Sequence, residues 1–207
     1  MVEQNWHSLV KQLTYARLQD VAKALEFPFF DRGDYNLNLI GIRTDDDRSN
    51  LFNDWLCLAF RQNDHEQLLT FSMTTDPGTY YRENPINVDG TAIMVPGHYP
   101  GLWEIRNHQG KYPALCQKAP VNVWRDNDRD EVLDYGGEQA AGLFGINLHR
   151  ASEHRESTQV DRWSAGCQVI AQPEDFDIVM AIARRARLIY SNTFSYTLIT
   201  EQQLWSA

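Results

Sequence analysis

Between residues 77 and 110 the chain is cut repeatedly by glycine-bearing turn pairs: Pro77-Gly78, Asp89-Gly90, Pro96-Gly97, Pro100-Gly101 and Gln109-Gly110. Proline fixes φ and withholds a backbone donor, while glycine reaches conformations closed to other residues, so no long helix runs through such a stretch. What fits between these turns is short strands. The apolar segments predict them at 37–43, 55–60, 68–74, 91–95, 101–105 and 121–124. Residues 143–148 alternate, with Phe144, Ile146 and Leu148 on one side and Gly145, Asn147 and His149 on the other, predicting a half-buried strand that ends at a histidine. Residues 194–200 close the chain as a strand.

Two stretches have helical spacing. Leu18, Val21, Ala22 and Leu25 recur at i, i+3, i+4 and i+7 behind a Thr14 N-cap, giving a helix over 15–27 that Phe27-Pro28 ends. A second begins near Pro173, with Glu174 and Asp175 in its first turn and Phe176, Val179, Met180 and Ala183 on one face. Arg184, Arg185 and Arg187 fall on it as a solvated face. The expected fold class is therefore mainly β with flanking helices (α+β). A single domain over 1–207 is expected, in which 1–65 supplies an N-terminal helix and strands of no assigned role and 66–207 the core.

A net charge of −9 without a basic patch argues against nucleic acid as a partner. No apolar run is long enough to cross a membrane as a helix, so no membrane insertion is expected. Residues 1–10 are polar, and the expectation is a chain made in the cytoplasm without a secretory signal. Three cysteines, Cys57, Cys116 and Cys167, cannot all pair within the chain. Cys57, inside an apolar run, and Cys116 read as small buried residues.

Cys167 differs. It follows Ser164-Ala165-Gly166 and leads into the apolar run 169–171, placing it at a tight bend between a loop and a strand. A bend at Gly166 can aim consecutive N–H groups at one point, as an oxyanion hole requires, while a thiol needs a base within hydrogen-bond reach. His149, at the end of its strand, can meet Cys167 if the two strands are neighbours; His154 is a second candidate base. A glycine-cysteine pair near a histidine is also compatible with a purely structural role.

The pattern His149-Arg150-Ala151 followed by Ser164-Ala165-Gly166-Cys167 resembles the signature of the L,D-transpeptidases, the YkuD-like family, in which a strand-end histidine precedes a Ser/Thr-His-Gly-Cys element. Fourteen residues separate His149 from Ser164, inside the family's window. Residues 95–105 are a loose counterpart of the family's Thr-Pro-x-Gly-x-Phe-like strand, so the resemblance spans about 68–171, while 1–65 match nothing in it. Three positions depart from the family: Ala165 stands for its histidine, Val169 for its Arg or Asn, and Arg150 for its Gly or Ser.

The resemblance implies a YkuD-like β-sandwich or barrel and a thioester enzyme acting on peptidoglycan stem peptides, as carboxypeptidase, endopeptidase or transpeptidase. It needs no cofactor. Cys167 is then the nucleophile, His149 the base, Arg150 the residue whose carbonyl orients the imidazole, Ser164 a supporting hydrogen-bonding residue and Gly166 an oxyanion donor. His98, Tyr99 and Trp163 are candidate substrate contacts, against core packing for Trp163 and an idle surface imidazole for His98. Action at the cell wall would follow release at phage lysis or delivery by a secretion machine, as for an endolysin-like hydrolase. The alternative is a non-catalytic wall-binding or phage structural protein that keeps the fold. A papain-type protease is disfavoured because Cys167 leads into a strand, not a helix. Nothing in the chain fixes the oligomeric state.

The loop after residue 125 sets Asp126, Asp128, Asp130 and Asp134 at relative positions 1, 3, 5 and 9. Such alternation can wrap oxygen ligands around calcium, although the glycine and the terminal glutamate of an EF-hand are missing. The competing reading is a solvated acidic turn. Arg43 with Asp45, Asp46 and Asp47 reads as another solvated charged loop.

Overall fold

The computed structural model describes residues 12–47 and 50–206. Its chain order is α1 (Tyr15–Ala24), β1 (Asn38–Arg43), β2 (Asp54–Gln62), β3 (His65–Thr74), α2 (Thr79–Glu83), β4 (Thr91–Met94), β5 (Gly97–His108), β6 (Tyr112–Gln117), β7 (Val121–Asp126), β8 (Ala140–Gly142), β9 (Leu148–Arg150), β10 (Gln168–Ile170), α3 (Pro173–Ile189), β11 (Phe194–Thr200) and α4 (Glu201–Ser206). Eight strands close into a barrel in the order β1-β11-β5-β6-β9-β10-β3-β2, and β4, β7 and β8 form a separate three-stranded sheet. The chain is thus mainly β with helices, as its turn spacing predicts.

Burial on both faces explains the apolar runs. Leu39, Leu56, Leu58 and Leu198 point into the barrel, where they meet Trp103, Leu148 and Ile170. Their alternating neighbours Ile40, Ile42, Cys57, Ala59 and Ile199 point outward, under α1 (Tyr15, Leu18, Val21) and Leu204 of α4. Strands covered on both sides lose the polar half of their alternation. The apolar stripe of α3, with Phe176, Val179, Met180, Ala183 and Ala186, packs onto the barrel core. Thr14 caps α1 by accepting from the Arg17 N–H at 3.0 Å, and Pro173 opens α3.

Four features differ from the sequence reading or add to it. Described residues before 66 belong to the barrel itself, which is not confined to 66–207. β1 lies between β11 (parallel) and β2 (antiparallel), β2 runs antiparallel to β3 along its whole length, and the division at residue 65 falls at the first residue of β3. β6 carries Pro113 yet pairs with β5 over six positions.

Residues 143–147 are irregular, with Gly145 at φ +76°; only 148–150 are strand. The alternation there is real, but Gln117 takes the place of a neighbouring strand. Its Oε1 accepts from the N–H groups of Phe144 (3.0 Å) and Ile146 (2.9 Å), and its Nε2 donates to the carbonyls of Ala119 (2.9 Å) and Gly142 (3.1 Å). One buried amide thus has both lone pairs and both protons engaged.

Arg43 is also not a solvated loop residue. It is buried at the barrel end, where it donates to the Met94 carbonyl (2.9 Å) and to Thr75 and pairs with Asp76 at 2.9 Å. Asp54 stands in the same buried network, accepting from the N–H groups of Thr44 and Thr75. Among the described residues, no helix is long and apolar enough to cross a membrane.

Candidate active site

β9 and β10 run parallel, with Leu148 opposite Gln168 and His149 opposite Val169. Leu148 enters the barrel core, and Gln168 accepts from the buried Tyr196 hydroxyl at 2.7 Å, so both point inward. By strand alternation their neighbours point outward. Cys167 packs with Val169, Ala151 and Ala171 in a cluster of its own outside the barrel. His149 and Cys167 therefore occupy the same outer face as diagonal neighbours, a separation that long side chains span.

The bend that presents Cys167 is held from two directions. Ser164, fully buried, accepts from the Gly166 N–H (3.1 Å) and donates to the Cys167 carbonyl (2.8 Å), closing the turn. Its own carbonyl accepts from the Gly78 N–H at 2.9 Å. Gly166 has φ +113°, and a Cβ on it would lie 2.3 Å from the Ala92 carbonyl oxygen. Glycine is required here by the backbone conformation and by the close approach of β4. The Gly166 N–H is thereby taken by Ser164 and is not the oxyanion donor that the sequence suggests.

Protons at the site can be placed from the partners. A carbonyl only accepts, so the 2.8 Å contact of His149 Nδ1 with the Arg150 carbonyl puts the proton on Nδ1 and leaves a lone pair on Nε2. The Cys167 thiol donates to the Gly145 carbonyl at 3.4 Å. Stacked on His149 is His108, with ring centroids 4.4 Å apart and planes 21° from parallel. Asn147 Oδ1 accepts from the Gln117 N–H at 2.7 Å, which fixes its amide orientation; its Nδ2 therefore donates to His108 Nδ1 at 3.2 Å. When neutral, His108 then carries its proton on Nε2.

Burial and the adjacent His108 push His149 down to about 4, against a smaller opposing effect of the Arg150 carbonyl. Burial pushes Cys167 up to about 11, although the Asn147 backbone N–H favours the thiolate. At neutral pH the resting pair is thus a thiol and a neutral imidazole. Arg150 serves through its carbonyl; its guanidinium lies 4.1 Å over the Tyr112 ring and pairs with Glu153 at 3.2 Å.

Beside Cys167 opens a cleft of ≈ 530 Å³ between the barrel end and the three-stranded sheet. Its wall includes His108, Asn147, Ala165, Thr91 and Phe144, and its one charged residue is Arg125. Arg125 donates to the Gly90 carbonyl (3.1 Å) and lies 4.7 Å over the Phe144 ring.

The candidate substrate contacts do not line this cleft. Tyr99 is buried in the core and donates to the Val95 carbonyl, and burial pushes its hydroxyl up to about 12. His98, on the opposite face of β5 from Tyr99, pairs with Thr197 at 2.9 Å and lies by Phe27. Trp163 is 43% exposed and, with His154, lines a separate hollow. What the sequence reading missed is His108 and Arg125, a strand-end histidine and a strand arginine with no spacing to mark either. Cys57 and Cys116 are buried and unpaired, as read.

In the acidic loop, Asp126, Asp128 and Asp134 bring carboxylate oxygens within 4.8 Å of one another. Asp130 is not among them: its Oδ1 accepts from the Val132 N–H at 2.6 Å, so that carboxylate closes the local turn. Compared with known proteins, no family model, no curated protein and no solved structure matches the chain.

Proposed function

We propose that the chain is a cysteine acyl-transfer enzyme of the L,D-transpeptidase type that acts on peptidoglycan stem peptides, and that the barrel with its covering sheet is a divergent YkuD-like fold. One observation carries the reading. Cys167, which lines the cleft, stands one residue before β10 on the same outer face as the buried His149 of the adjacent parallel strand β9, and the imidazole is held in the tautomer that leaves Nε2 as a base. Nε2 takes the thiol proton as sulfur attacks the carbonyl of the residue before a D-centre. The negative charge on the tetrahedral oxygen is met by the Cys167 N–H and by His108 Nε2–H, which stands in for the imidazole the motif lacks at Ala165. On collapse the C–N bond breaks, the protonated His149 returns its proton to the leaving amine, and a thioester remains. Water or a second amine then attacks the thioester, giving hydrolysis or transpeptidation. Arg125 supplies the positive charge that a stem-peptide carboxylate requires. The protein would reach the wall after release or delivery.

Digestion of purified muropeptides, read by mass spectrometry, tests this, with Cys167→Ala as control. New product masses that vanish in the control are expected, together with a carbapenem adduct on Cys167 in the intact protein. Muropeptides left unchanged by the wild-type chain sink the proposal. A non-catalytic wall-binding protein is the second reading, favoured by the un-ionised resting state of the Cys167–His149 pair. It predicts retention on purified sacculi with no change in muropeptide masses.

A further inference from the structure

We propose that Asp126, Asp128 and Asp134 form a binding site for a hard divalent cation of the calcium class, at the sheet that walls the cleft. The acidic cluster alone would read as a solvated turn, but Asp126 is not solvated. It ends β7 with 0% exposure, and neither of its carboxylate oxygens completes a hydrogen bond; the Asp134 backbone N–H eases the charge only in part. A buried carboxylate with both oxygens unpartnered is costly unless a ligand meets it.

The other groups around it do not remove the cost. Arg82, buried at the end of α2, offsets part of the charge, yet its guanidinium donates to the Glu131 carbonyl and to Thr79 Oγ1 (3.1 Å). Asp128 and Asp134 face Asp126 with like charge, which makes the trio worse without a cation and better with one.

The ligand chemistry selects the ion. Hard carboxylate oxygens and no nitrogen or sulfur suit calcium or magnesium over zinc or copper. Oxygens that all lie within 4.8 Å of one another need shift by no more than a few tenths of an ångström to share a single ion at calcium's ~2.4 Å bond length. Magnesium demands shorter bonds and usually takes only one or two carboxylates, keeping water for the rest. Exposed Asp128 and Asp134 give the ion a path in, and further water ligands have room in the ≈ 720 Å³ hollow that Asp134, Asp89 and Asn127 line. Arg125 lines both this hollow and the cleft at Cys167, so the cation would stiffen the strand that carries it. Binding itself does not depend on the chemistry of Cys167.

The full chain, stripped with a chelator and returned to millimolar CaCl2, should melt about 5–10 °C higher at a hundredfold excess over Kd. Terbium should luminesce on binding, sensitised by Trp124 and Tyr135, whose rings lie 6.1 Å apart next to the site. Asp126→Asn should raise the melting temperature of the stripped protein, by removing the unpartnered charge, while abolishing both the calcium shift and the terbium signal. Asp134→Asn, at an exposed position that does not endanger folding, should weaken both at least tenfold. A melting temperature indifferent to calcium in the wild-type chain, or terbium emission unchanged by Asp126→Asn and Asp134→Asn, overturns the site. Stabilisation by magnesium with none by calcium overturns the choice of ion.

Discussion

His149 shows how one side chain can be held as a neutral base. Its Nδ1 proton sits on a carbonyl, His108 stacks on its face, and burial opposes a second proton. Its folded pKa of about 4 lies below the unfolded value of 6.5, so the native state binds fewer protons than the unfolded chain between those limits. Stability from this group is complete above about pH 6.5 and is lost as pH falls towards 4, by at most about 3 kcal/mol. The difference in melting temperature between wild type and His149→Gln, followed across that window, should shrink as pH falls. A difference that stays constant from pH 7 to pH 4 contradicts the low value. Catalysis should keep its acid limb near pH 4, not near 6.5, in the pH dependence of kcat/KM. For Cys167, a thiol pushed from 9.0 to about 11 carries roughly a hundredfold less thiolate at neutral pH, and iodoacetamide should label it correspondingly slowly. Labelling as fast as that of an exposed thiol would contradict the raised value, and faster labelling would show a preformed ion pair.

At the scale of elements, the site depends on two segments that hold their backbone without strand pairing. Residues 143–147 hang on the Gln117 amide, and Gly145 among them supplies the carbonyl that receives the Cys167 proton. Gln117→Leu would leave two backbone donors without partners, at about 1–3 kcal/mol each. Chemical denaturation should show a loss of about 2–6 kcal/mol on that basis, and a neutral result would mean that water replaces the amide. The bend at 164–167 is pinned by Ser164 and by the approach of β4 to Gly166. Gly166→Ala brings a Cβ to 2.3 Å from the Ala92 oxygen, so Cys167 must move or β4 must part from it. Activity should be lost along with at least about 1 kcal/mol of stability, since alanine at positive φ is strained even without a clash. Gly166→Ala with wild-type turnover would show that the bend tolerates other shapes.

At the scale of the whole molecule, β1 and β2 make the described residues before 66 indispensable to the barrel. β1 and β2 are two of its eight staves, and β1 bonds to β11 near the other end of the chain. A fragment covering 66–207 would expose the edges of β3 and β11 and uncover the apolar faces packed under α1. It should be insoluble or unfolded by circular dichroism, whereas a folded, soluble fragment would contradict the closed barrel. The sequence by itself determined the mainly β class, the amphipathic helices at 15 and 173, and the outward direction of His149, because turn chemistry and periodicity are local properties of the chain. It also singled out Cys167 and the glycine before it, through the Ser164-Ala165-Gly166-Cys167 pattern and the backbone freedom of glycine, which are both local. Tertiary structure alone decided that His108 and Arg125 reach the cleft, that Tyr99 is buried in the core and that Arg43 is buried. It likewise left Asp130 out of the acidic trio and tied residue 39 to residue 196. Each of those depends on which distant segments the barrel closure brings together, and no local pattern records a pairing between residues more than a hundred positions apart.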